Sequence, residues 1–405
     1  AQVPVLTSGQ MAALTSAQIA ALTTAQMAAL TGAQIAAIET ADLAAFDTTT
    51  MAKLSTAQVQ ALTTAQVGAL TAEQLLALTS TQFAALTAAQ VGAIETADLA
   101  DLPTTTIGRL TALQVAGLST AQMRALSTEQ VAALSTAAVA ALGTAQVQAL
   151  APEQVSQLST AQVAALSATQ IAALDVEDLA VIDAGTFDGL TAAQIGGLTL
   201  AQVQGITTDQ AAVLTTAQVA ALSTLQLSAL ETTDLRELST AAIAALTTAQ
   251  AAAHNVGQVA ALTPTQIAAL ETADLAAITT AQFAALGSDQ VGALSTAQVA
   301  AVTTAQLASI NPDALTALST GAFAQLSSAQ IAALTNAQIA GLNPYQVGTL
   351  SVAQAAHLGT AQIRAIETAD LAALTTAVVQ SLATAQVAAL TNAQVQALST
   401  DQAAV

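Results

Sequence analysis

An aliphatic side chain recurs at every eighth position of this chain, from Leu6 to Leu398, without insertion or deletion. Of the 50 positions in that register, 48 are Leu, Ile or Val, and the other two are Phe46 and His254. A repeat this strict decides the architecture before any other property is considered. The consensus is Leu-Thr-x-Ala-Gln-Val-Ala-Ala, as at Leu22–Ala29 and Leu158–Ala165. Its positions are lettered a to h here, with leucine at a.

Each position has a physical reading. Position b is mostly Thr or Ser, with Asn311, Asn343, Gly143, Gly287, Gly359, Asp47, Asp175 and Asp183 among its substitutes. These residue types are favoured at a helix N-cap. Position c holds Pro152, Pro264, Pro312 and Pro344, and proline suits the first helical residue because its missing N–H is not needed there. Position e, three after the cap, is usually Gln, which completes a reciprocal capping box. Positions a and f form the hydrophobic staple across the helix start. Every octad therefore announces a new helix, and about seven residues, roughly two turns, fit between caps. Such helices are too short to persist alone in water, so they must stack on one another.

Two regular alternatives fail on periodicity. In one continuous α-helix, eight residues advance about 800°, so the apolar stripe drifts about 80° per repeat and forms no coiled-coil seam. A β-solenoid needs alternation and β-branched strands, whereas positions d, e, g and h are rich in Ala and Gln. Disorder does not fit an aliphatic register held through 50 units. The expected fold is all-α: a tight superhelix, or α-solenoid, of capped two-turn mini-helices, one per eight residues. It is expected to run through residues 1–405 as one continuous solenoid.

Composition narrows the function. Only 7% of the residues are charged, 25 acidic against 5 basic, for a net charge of −20. Five scattered cations, Lys53, Arg109, Arg124, Arg236 and Arg364, cannot neutralise a nucleic-acid backbone. The uncharged stretches carry Thr or Ser with Gln in every octad, polar groups that lipid would not accommodate, so membrane insertion is not expected. Cysteine is absent, which removes disulfides and thiolate chemistry. The opening AQVPVLTSGQ has neither an initiator methionine nor a cationic start, so the chain is expected to be a processed form or a segment of a larger protein.

No catalytic constellation stands out. His254 at position a and His357 at position h lie 103 residues apart, and the many hydroxyls are accounted for by capping. Met11, Met27, Met51 and Met123 share position f with Phe83, Phe187, Phe283 and Phe323 and read as core. No catalytic or cofactor-binding residue is assigned, and an enzyme is not expected.

Six octads depart together, with Asp at position e: Asp42, Asp98, Asp178, Asp234, Asp274 and Asp370. Five of the six also carry Glu at b, and the next octad often loses its Gln, as at Thr50, Thr106, Thr186 and Ala242. Candidate cation ligands, with Ca2+ as the ion, are Asp42, Asp98, Asp175, Asp178 and Asp183. The competing reading is that these acids complement the N-terminal dipole of their own helices. The intervals of 7, 10, 7, 5 and 12 octads would align the variants along one side if a superhelical turn held about 2.4 octads.

Two resemblances attach to the repeat. LAPEQVSQL at 150–158 and LTPTQIAAL at 262–270 resemble the opening helix of transcription-activator-like effector repeats, but that repeat is about four times longer and its base-reading residues have no counterpart here. Across essentially the whole chain, the tandem LTxAQVAA octapeptides resemble repeat regions of very large bacterial secreted or surface proteins of adhesin-like type. That resemblance implies an extracellular or cell-surface location and an extended, non-enzymatic role.

The expected function is structural: a rod or filament segment that associates with itself, because identical units offer the same surface repeatedly. The alternative is an adhesin stalk that recognises a surface, glycan or ice through its Thr-rich face.

Overall fold

The computed structural model describes residues 2–404. Among these residues are 50 α-helices and a 3-10 turn at Val3–Val5, with no strand. The helices run four to six residues and begin at position c of each octad. The helix Thr160–Ala165 shows why. Ser159 is extended at φ −68° and ψ 157°, its Oγ accepts from the Gln162 N–H, and Gln162 Oε1 accepts from the Ser159 N–H at 2.8 Å. The capping box expected from Thr/Ser at b and Gln at e is therefore present.

The helices end well short of a second full turn because position a swings back to extended geometry. Leu166 has φ −68° and ψ 139°, and its N–H donates to the Val163 carbonyl at 3.2 Å. That carbonyl lies three residues back, so the last turn is tightened and the chain is delivered straight into the next cap. No residue among those described has a positive φ, so the bends need no glycine.

Positions a and f form the interior. Leu158, Val163 and Leu166 are buried, as are their equivalents in the neighbouring octads. Every third helix stacks: Thr136–Ala140 packs on Thr160–Ala165, and Thr248–Ala253 packs on Thr272–Ala277. Small residues at g and h allow the close approach. At Gly92 a Cβ would stand 2.4 Å from the Gly117 carbonyl oxygen, 25 residues on, so only glycine fits.

The helices group into two compact units, Ala1–Leu198 and Thr199–Val405. Within each, glutamine side chains bond to carbonyls 28 and 31 residues earlier. One superhelical turn thus takes between three and four octads, not 2.4. With a 28-residue step, the 80 residues from Asp98 to Asp178 are just under three turns, and the 40 from Asp234 to Asp274 about one and a half. Asp42, Asp98 and Asp178 in the first unit therefore fall near one side, whereas Asp234 and Asp274 in the second fall on nearly opposite sides. The turn is wider than expected because the bend between helices is set by the extended residues at a and b, which the repeat length alone does not specify. Among the described residues no helix is long and apolar enough to cross a membrane.

Candidate functional site

The recurring site of this molecule is the glutamine at position e. Its Oε1 caps its own helix while its Nε2 reaches the preceding turn. Gln58 Nε2 donates to the Met27 and Leu30 carbonyls at 2.7 and 2.9 Å. Gln266 Nε2 lies 2.9, 3.1 and 2.9 Å from the carbonyls of Leu235, Arg236 and Leu238. The same bonds recur at Gln114, Gln146, Gln306 and Gln338. Each buried amide is thus one rung of a ladder, accepting from one turn and donating to another.

This second role was missed in reading the sequence, where the capping box accounted for the glutamine completely. A signal was nevertheless available. Position e is Gln in 36 of 50 octads and never Glu, although Glu completes a capping box equally well. Glutamate cannot donate, so its absence points to a carbonyl that needs an N–H.

The Asp octads interrupt the ladder, because a carboxylate is one carbon shorter and has no donor. Asp42 instead accepts from Ser16 Oγ at 2.5 Å, and Asp98 from the Ala72 N–H at 3.1 Å. Asp178 accepts from the Asp175 N–H at 3.3 Å, and Asp183 caps its helix by accepting from the Thr186 N–H at 3.0 Å. The five cation candidates therefore fall into four places: Asp42, Asp98 and Asp183 each stand apart, while Asp175 and Asp178 meet across one helix start. Among the described residues no three His, Cys, Asp or Glu side chains converge to hold a metal.

Electrostatics divide these acids. Hydrogen bonds from Thr186, its side chain first, hold Asp183 below the usual carboxylate range. Burial pushes Asp178 and Asp370 up. Asp234 is pushed up to about 6, by burial first and then by Glu231 and Glu237. A folded-state value above the unfolded one means that the contribution of Asp234 to stability is present in acid and lost as pH rises through about 6.

His254 breaks the pattern differently. It stands where 48 octads place an aliphatic residue, and it is buried. Its Nδ1 lies 3.2 Å from the Ala251 carbonyl, while Nε2 has no partner. Beside it is a closed cavity of about 10 Å³ lined by Ala251, Val259, Leu262, Leu270 and Ile278. With a single polar group on its wall, such a cavity cannot hold a well-bonded water. His254→Leu is therefore expected to stabilise the Thr199–Val405 unit by about 2 kcal/mol, by removing an orphaned ring nitrogen and filling the void. Burial also holds His254 below 6.5, so the unfolded chain protonates first and the wild type loses stability as pH falls below 6.5. Thermal melts should show the advantage of leucine widening from pH 7.5 to 5.5; equal melts at both values would contradict this account of His254.

Capped mini-helices stacked through buried amides define a tandem-repeat α-solenoid. A model of the ALTTAQ repeat matches residues 3–37, 35–72, 91–128, 125–160, 227–264, 267–304, 307–344 and 363–400, well over half of the chain. The chain belongs to the ALTTAQ repeat family. No curated protein matches it.

Proposed function

We propose that this chain is a non-enzymatic structural element, a segment of a rod or filament in a bacterial extracellular or cell-surface assembly. The observation that carries the reading is the glutamine ladder, which ties each turn to the one before it inside both units, so that every turn presents the same kind of surface. Surfaces repeated at a fixed step favour self-association that propagates without closing.

The rungs are neutral amides and the chain is only 7% charged, so such a scaffold is insensitive to salt. The resemblance to adhesin-like repeat regions supports the location. Sedimentation velocity and electron microscopy on the 405-residue chain should show elongated species that grow with concentration. Monodisperse particles at every concentration would reject the assembly. Binding to a glycan or to ice without assembly would favour the stalk alternative.

A further inference from the structure

We infer that the octad at Leu270–Ala277 holds a hard divalent cation, Ca2+, between the carboxylates of Asp274 and Glu271 and the backbone carbonyls of the preceding turn. The argument begins from the ladder. In the octads on either side, an amide nitrogen sits among carbonyl oxygens: Gln266 Nε2 meets those of Leu235, Arg236 and Leu238, and Gln298 Nε2 those of Ile267, Ala268 and Leu270 at 2.8, 3.4 and 2.9 Å. The same register assigns the carbonyls of Ile243, Ala244 and Leu246 to position 274. There a carboxylate replaces the donor, so those carbonyls lose the N–H that a glutamine rung supplies.

Asp274 is 2% exposed, and its Oδ2 is buried with no hydrogen-bond partner. His254 Nε2 is the one other buried side-chain polar atom among the described residues left in that condition. A buried carboxylate oxygen without a partner is destabilising unless a positive charge joins it. Aspartate is shorter than glutamine by one carbon–carbon bond, about 1.5 Å, which leaves space where the amide nitrogen would be.

Glu271 supplies a second charge. It occupies the N-cap, where Thr or Ser would bond the first turn, but its side chain makes no capping bond. Positions b and e lie side by side in this fold, since the Thr303 hydroxyl donates to Gln306 Oε1 at 2.9 Å. Two carboxylates with backbone carbonyls form the all-oxygen donor set that a calcium ion takes, and two ligand charges favour a divalent over a monovalent ion. A site made half of main-chain oxygens is consistent with the absence of any three-side-chain metal cluster.

The test is hydrogen–deuterium exchange on the whole chain at pH 7.5, in CaCl2 or in EDTA, with choline chloride equalising ionic strength. Calcium should slow exchange at least tenfold in peptides covering residues 243–254 and 270–278. Asp274→Gln restores the consensus rung, so it should fold, be protected without calcium, and lose the calcium response. Two results would overturn the inference: protection by calcium that persists in Asp274→Gln, or no calcium effect on the wild-type chain. Neither result bears on self-association, which rests on the surface that the turns repeat.

Discussion

Replacing Leu158 by aspartate is expected to cost the Ala1–Leu198 unit about 5 kcal/mol or more. Leu158 is buried between turns, and truncation of such a leucine alone costs about 2–5 kcal/mol. Aspartate adds a charge with no partner, which the site disfavours further. Because each turn touches only its neighbours, the damage should be local: amide exchange accelerates across roughly one turn to either side while distant turns stay protected. The control needs care. Position c is exposed by the repeat pattern, and the sequence suggests Thr160→Lys as a silent change, but the Thr160 hydroxyl lies 3.2 Å from Thr186 Oγ1 in the next turn. Thr136 is exposed at the same position without such a partner, and Thr136→Lys should stay within about 0.5 kcal/mol. Equal tolerance of Leu158→Asp and Thr136→Lys in urea melts would show that the facing of the octad is misassigned.

The second large effect tests the ladder with almost no change of shape. Gln162 accepts from the Ser159 N–H at 2.8 Å and donates to the carbonyls of Ala132 and Leu134 at 3.1 and 2.7 Å. Gln162→Glu keeps the cap and turns the donor into an oxygen. At pH 7 the lost bond, the deserted carbonyl and the buried charge together should cost about 3–4 kcal/mol. The deficit should shrink toward pH 4, because a protonated carboxyl can donate in place of the amide. Asp234, a natural carboxyl at position e, shows the direction, since burial and two neighbouring glutamates push it up to about 6. Wild-type stability in Gln162→Glu at pH 7 would mean that the amide is a cap and nothing more.

Much of the architecture could be read from the chain itself. Thr/Ser at b, Pro at c and Gln at e are a local grammar, satisfied within four residues, so each helix start is written where it occurs. Burial of a and f follows from the same window, as Leu158 and Val163 show. The glutamine rung was not read, because its partners lie 28 and 31 residues away and the cap already explained the residue. The acids at position e were open to the same difficulty: Asp42 finds Ser16, and Asp98 finds the Ala72 N–H, each 26 residues earlier.

The octad by itself determined that this protein is a string of capped helices with a two-position apolar face, since caps and staples act between residues adjacent in the chain. Only the tertiary structure decided how many octads make a turn, which carbonyls the glutamines meet, and that Asp274 Oδ2 and His254 Nε2 are left without partners. Those outcomes depend on the small dihedral bend at each Leu–Thr junction, repeated until turns meet. That angle carries no residue signature of its own.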